Sequence, residues 1–68
     1  MDKVKVRANE FAWDVEHYFK SIAKHNPAYR LGQFITNKYA PKHKLWSDLF
    51  YCPNSKFWEL VFNYIELT

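Results

Sequence analysis

Apolar residues recur along most of this chain at the three-to-four-residue spacing of amphipathic helices. Phe11, Val15, Tyr18, Phe19 and Ile22 fall within one sector of about 100°, which predicts a core-facing helix from about Asn9 to Lys24. Asn9 is placed to cap it. Glu10 and Asp14 suit the positive end of its dipole, Lys24 and His25 the negative end. Glu16 and Lys20 are spaced for an i,i+4 pair. Asn26-Pro27 ends this helix and opens a second, from about Pro27 to Tyr39, because a missing N–H costs nothing at the first helical position. Leu31, Phe34, Ile35 and the stem of Lys38 share its inner face. Gly32 inside that helix costs ~1 kcal/mol relative to Ala, so a close approach by another helix or a ligand is expected there. Ala40-Pro41 stops the helix, because the residue before proline avoids the α region.

The pattern then loosens. Pro41 to Tyr51 reads as a loop and a short helical turn carrying Leu45, Trp46, Leu49 and Phe50. Cys52-Pro53-Asn54-Ser55 reads as a turn, with Asn54 or Ser55 capping the next helix. That last helix is predicted from about Ser55 to Glu66. Its apolar arc of Phe57, Trp58, Val61, Phe62, Tyr64 and Ile65 is wide enough for the centre of a core, or for a helix that also meets a partner. Lys3 to Arg7 alternates charged and apolar residues as a short strand would, but no second alternating segment is evident to pair with it. It is read as an extended arm or an early start to the first helix. The expected fold is all-α: one domain over residues 1–68, a small bundle of three main helices plus a short helical turn, with an N-terminal extended arm.

Composition sharpens this picture. Three Trp, five Tyr and six Phe stand in a chain of 68 residues. A domain this small buries only roughly 60% of the surface its unfolded chain exposes. More ring surface is present than the interior is expected to absorb, so a partner or a second copy should cover the rest, with the closing helix at the interface of a homodimer. A single Gly and three Pro argue against disorder. One cysteine, Cys52, excludes an internal disulfide framework and suits a reducing compartment. Met1-Asp2-Lys3-Val4-Lys5 lacks the apolar run of a signal peptide, and no stretch approaches a membrane span. A cytoplasmic setting without a membrane partner is expected.

Catalytic patterns are missing from the sequence, and a non-enzymatic role without cofactor or metal is expected. His17, His25 and His43 lack metal-ligand spacing. Gly32 is the sole glycine, so no glycine-rich phosphate loop exists. Cys52 lacks neighbours that would activate it and reads as a structural thiol. Asp14 and Glu16 point to different sides of their helix and read as solvated rather than as an acid–base pair.

Binding candidates remain. On the second helix Arg30, Gln33 and Asn37 lie away from Phe34 and Ile35, with Tyr29, Gly32 and Thr36 beside them. Their donors and acceptors suit a carboxylate, a phosphate or an exposed backbone. Internal roles are the competing reading: Arg30 paired with Asp48 or the terminal carboxylate, Gln33 and Asn37 satisfying a crossing loop. On the first helix Trp13, His17, Lys20 and Lys24 fall opposite the Phe11 stripe. An exposed Trp among cations suits a protein hot spot or base stacking, unless the arm or the closing helix covers it.

Tyr29, Arg30, Gly32, Gln33 and Asn37, then Asp48, Phe50 and Tyr51, then Phe57, form a pattern that resembles a group of small hypothetical proteins of bacteriophages and prophages. The likeness covers roughly residues 26 to 60; Leu49 stands where proline is common, and the segment before Asp48 is shorter. The resemblance implies a phage origin, a host cytoplasmic setting and a host-directed accessory role, and no chemistry. The leading expectation is therefore a phage-type protein that binds a host or viral protein and inhibits a host defence or enzyme. The alternative is a small DNA- or RNA-binding protein. It rests on the net charge of +3 and on two basic clusters, Lys3, Lys5 and Arg7, and Lys38, Lys42 and Lys44 beside His43. The same lysines also serve as ordinary solubilising residues.

Overall fold

Two short strands tie together the ends of the described chain. The computed structural model describes residues 3–68; Met1 and Asp2, which open the stretch read for a signal peptide, lie outside them. Val4–Val6 (β1) and Ile65–Leu67 (β2) pair in parallel, with Val4 opposite Ile65, Lys5 opposite Glu66 and Val6 opposite Leu67. The all-α expectation is corrected accordingly: the fold is mostly helical but carries a two-stranded parallel sheet. Nor are residues 3–7 a free arm. The Val4 N–H donates to the Tyr64 carbonyl at 2.8 Å, and the Thr68 N–H to the Val6 carbonyl at 2.9 Å. Val6 and Ile65 turn inward while Lys5 and Glu66 face solvent, the period-two alternation of a half-buried strand. The partner segment escapes detection in the sequence because Val61 and Ile65 are also spaced i,i+4. Parallel strands require a long crossover, and here every helix lies within it.

Ala8–His17 (α1) starts from Arg7, not from an Asn9 cap; Asn9 sits in the first turn, where its Oδ1 accepts the Glu10 N–H at 3.0 Å. The helix runs on through a π-helical stretch, Tyr18–Ile22, into a last short turn, Ala23–His25 (α2). The Ala23 N–H reaches back five residues to the Tyr18 carbonyl. This wider turn shifts the apolar stripe: Phe11 and Tyr18 are buried, Val15 and Ile22 half-buried, and Phe19 points out instead of in. Glu16 and Lys20 do pair, at 2.5 Å, and the Lys20 ammonium holds the Glu16 carboxyl below its usual range.

The second long helix, Leu31–Tyr39 (α3), begins later than expected. Asn26 does not cap it; the Tyr29 N–H closes a turn onto the Asn26 carbonyl at 3.0 Å. The cap comes from across the fold, as Asn54 Oδ1 accepts the Leu31 N–H at 3.0 Å. A side-chain cap of this kind contributes about 1 kcal/mol. Ser47–Tyr51 forms α4, as the short turn predicts. Asn54 and Ser55 lie in a 3-10 turn, Asn54–Lys56, that leads into Phe57–Val61 (α5). The closing helix ends at Val61 rather than near Glu66: the Asn63 and Tyr64 N–H groups bond three residues back, to Leu60 and Val61, and the chain turns into β2.

The core gathers Phe11, Tyr18, Leu31, Ile35, Leu49 and Phe57, with Val61 and with Ile65 of β2. Phe11 stacks on Phe57 with centroids 6.2 Å apart, and buried Trp46 stacks on Tyr64 at 4.9 Å. Gly32 is buried against α4, as its helical position predicts. A Cβ there would stand 2.0 Å from the Leu49 carbonyl oxygen and 3.2 Å from Cys52 Sγ. Only hydrogen at that position lets α3 and α4 close.

Candidate functional site

Three contacts form a seam that joins the stretch from Asp14 to Tyr18 to the stretch from Tyr29 to Tyr39, and they run in opposite order along the two segments. Asp14 Oδ1 accepts from Lys38 Nζ at 2.5 Å, and its other oxygen accepts from the Tyr39 hydroxyl. One turn on, the His17 ring meets the Phe34 ring with centroids 6.4 Å apart. Beyond it the Tyr18 hydroxyl donates to the Tyr29 carbonyl. Asp14 is therefore not a solvated surface carboxylate, as the sequence suggests; its side chain is mostly covered and clamps α3 to α1. Burial first, then the Asp14 carboxylate, raises the Tyr39 hydroxyl above its ordinary pKa, which keeps it protonated and donating.

This seam merges two groups of candidates that the sequence leaves apart. Asn37 Nδ2 donates to the Tyr29 hydroxyl at 2.9 Å, and the Tyr29 ring packs edge-on against Phe34. Phe34 in turn touches His17. Trp13 stands one helical turn before His17 and is 64% exposed, so neither β1 nor α5 covers it. Trp13, His17, Phe34, Tyr29 and Asn37 thus form one strip that crosses from α1 to α3, with half-buried Gln33 on the same helix. Lys20 is held by Glu16, and Lys24 is exposed in α2. Sequence reasoning assigns Phe34 to the core; the structure leaves it half-buried, as the link between the two helices.

Arg30 does not join the strip. It occupies the N-cap position of α3, and its Nε is buried without a hydrogen-bond partner among the described residues. The expected Arg30–Asp48 pair is not formed among the described residues; Asp48 instead accepts from the Tyr64 hydroxyl. That bond, more than burial, pushes the Tyr64 pKa up to about 12. Arg30 lies close enough to Cys52 to oppose the upward shift of its thiol, but burial and then the Asp48 charge prevail. A buried thiol with a raised pKa is a poor nucleophile, in keeping with a structural Cys52. Much of the pattern between Tyr29 and Phe57 consequently packs: Gly32 admits α4, Asp48 tethers Tyr64, and Phe57 fills the core.

The basic clusters divide as well. Lys3 and Lys5 are exposed on β1 and just before it, with Arg7 just after. Lys38 is engaged by Asp14, whereas Lys42 and Lys44 stand exposed on the loop after α3. Among the described residues no three or more His, Cys, Asp or Glu are grouped to hold a metal ion, and no helix is long and apolar enough to cross a membrane. No protein-family model, curated protein or solved structure matches the chain.

Proposed function

We propose that this chain is a non-enzymatic interaction domain that binds a protein through the Trp13–His17–Phe34 strip and its polar rim, Tyr29, Gln33 and Asn37. The observation that carries this reading is Trp13. A large ring fixed on a regular helix, opposite the core and beside a histidine, is the form of anchor that dominates protein interfaces. The helix beneath it is clamped through Asp14, so the backbone that carries the ring needs no further ordering. The phage-like pattern favours a host or viral protein as partner, and inhibition of a host defence or enzyme as outcome, in the host cytoplasm.

The test is capture from bacterial lysate by the folded chain and by Trp13→Ala. A stoichiometric protein retained by the first and lost by the second, with equal melting curves, supports the reading. Recovery of nucleic acid alone contradicts it. The adjacent rings of Trp58 and Phe62, 5.9 Å apart and 49% and 42% exposed on and just after α5, favour a second copy of the chain as an additional partner. A monomer at high concentration in sedimentation equilibrium removes that second reading.

A further inference from the structure

The loop after α3 folds back over the helix end and leaves a groove of about 390 Å³. Its floor is Thr36 and Asn37. Thr36 is 2% exposed and its hydroxyl has no hydrogen-bond partner among the described residues. The Asn37 amide nitrogen is committed to Tyr29, which leaves its oxygen as an acceptor. Lys42, His43, Lys44 and Leu45 also line the groove, and among the described residues no carboxylate does.

Cations after a helix can be there only to complement its dipole. That role is filled in α3 by Lys38, which lies in the last turn. The dipole fades within that turn, and Lys42 and Lys44 lie beyond it. Neither makes an ion pair among the described residues, unlike Lys20, Lys38 and Lys56. The Lys44 N–H donates to the Pro41 carbonyl at 2.9 Å, which sets Lys42 and His43 at the corner of a turn rather than on a loose strand. Leu45, more than half exposed, adds an apolar contact beside the charges.

We propose that this groove binds a phosphate ester of nucleotide size, its phosphate between Lys42 and Lys44 and its base or sugar against Leu45 and Pro41. Unpaired ammonium groups around a concave surface concentrate anions. The apolar wall and the free amide oxygen of Asn37 favour a phosphate that carries a base over a bare ion. The ligand is either a free mononucleotide or one nucleotide of a single strand, and this site shares only Asn37 with the Trp13 strip.

The experiment is a titration of the full chain, followed by backbone amide shifts, with adenosine monophosphate, a short single-stranded oligonucleotide and inorganic phosphate. Saturable shifts at Thr36, Asn37 and Leu45 are expected, weakened about tenfold in Lys42→Ala/Lys44→Ala and weakened again by salt. Tighter binding of the oligonucleotide than of the mononucleotide identifies a strand as the ligand, and comparable binding identifies the free nucleotide. The proposal is overturned by unmoved amides at these three residues, by an unchanged affinity in the double variant, or by phosphate saturating as readily as the nucleotide, which marks an adventitious ion only. Both lysines are exposed, so the double variant retains its fold, and its unchanged spectrum elsewhere verifies this.

Discussion

Helix α3 is held on two sides by seams of opposite character. Toward α4 the contact is steric: Gly32 lets the Leu49 carbonyl and the Cys52 sulfur approach its own backbone. Toward α1 it is polar: Asp14 gathers Lys38 and Tyr39, and aromatic rings fill in behind. The first seam is closed by backbone contact and has no room for one more carbon. The second has room but depends on one carboxylate. A small domain with little core can fix one helix by close packing and use its other face for polar groups that also border a surface. The candidate strip lies on the polar side, and that division accounts for its partial exposure.

Of the two seams, the steric one should show the larger effect. Gly32→Ala places a methyl group 2.0 Å from a backbone oxygen that cannot rotate away. Helix propensity alone would favour alanine by ~1 kcal/mol, yet overpacking against backbone should win, with a net loss of about 3 kcal/mol. Urea denaturation should show a lower midpoint at an unchanged slope. A variant as stable as the native chain would mean that α3 and α4 are not in backbone contact.

The polar seam comes next. Asp14→Ala removes two charge-assisted hydrogen bonds from a mostly covered carboxylate and should cost about 2 kcal/mol. Lys38 is half-exposed, so Lys38→Ala should cost less than half of that, since exposed ion pairs contribute little. Tyr39→Phe should carry most of the difference. Equal losses for the lysine and the tyrosine variants would show that charge, not the half-buried hydroxyl, holds the seam.

A smaller effect should appear in alkali. Tyr64 has an ordinary pKa of 10.0, raised in the fold to about 12, and Tyr39 is raised as well. The folded state thus binds these protons more tightly than the unfolded chain does. Their contribution is fully present below pH 10 and is lost as the pH rises through about 12. Melting temperatures should fall across that window, and Tyr64→Phe should flatten the fall. Loss of stability below pH 9 instead would assign alkaline sensitivity to other groups.

What the sequence made legible was local. The Glu16–Lys20 pair, α4 and the close approach at Gly32 are written in spacings within one or two turns. The outward direction of Trp13 is legible too, from its place opposite Phe11 on the helix wheel. What was illegible depends on residues far apart in the chain. The Asn54 cap on Leu31 spans 23 positions, and the Asp14–Tyr39 bond spans 25. No local pattern marks either. Ile65-Glu66-Leu67 reads equally well as the end of a helix or as a strand three residues long, and only the presence of Val4–Val6 beside it decides. The π turn at Tyr18–Ile22 has the same origin. Seating Tyr18 against Tyr29 and Phe34 fixes the helix phase there, and Phe19 is turned outward.

The smallest effect on stability should accompany the largest effect on binding. Trp13 touches little of its own fold, so Trp13→Ala removes almost no buried area, and alanine is the better helix former. Its unfolding free energy should stay within ~0.5 kcal/mol of the native value, as for a surface position away from caps and cores. Trp46→Ala should behave in the opposite way, because that ring is 3% exposed and stacks on Tyr64. Its loss should cost about 3–5 kcal/mol. The two tryptophans therefore separate folding from recognition. If Trp13→Ala destabilised the chain like a core truncation, its ring would be packing rather than presenting, and the interface on α1 would have no anchor. If instead the variant folds normally and its partner is lost, the exposed ring is the part of this small protein that is not needed to build it.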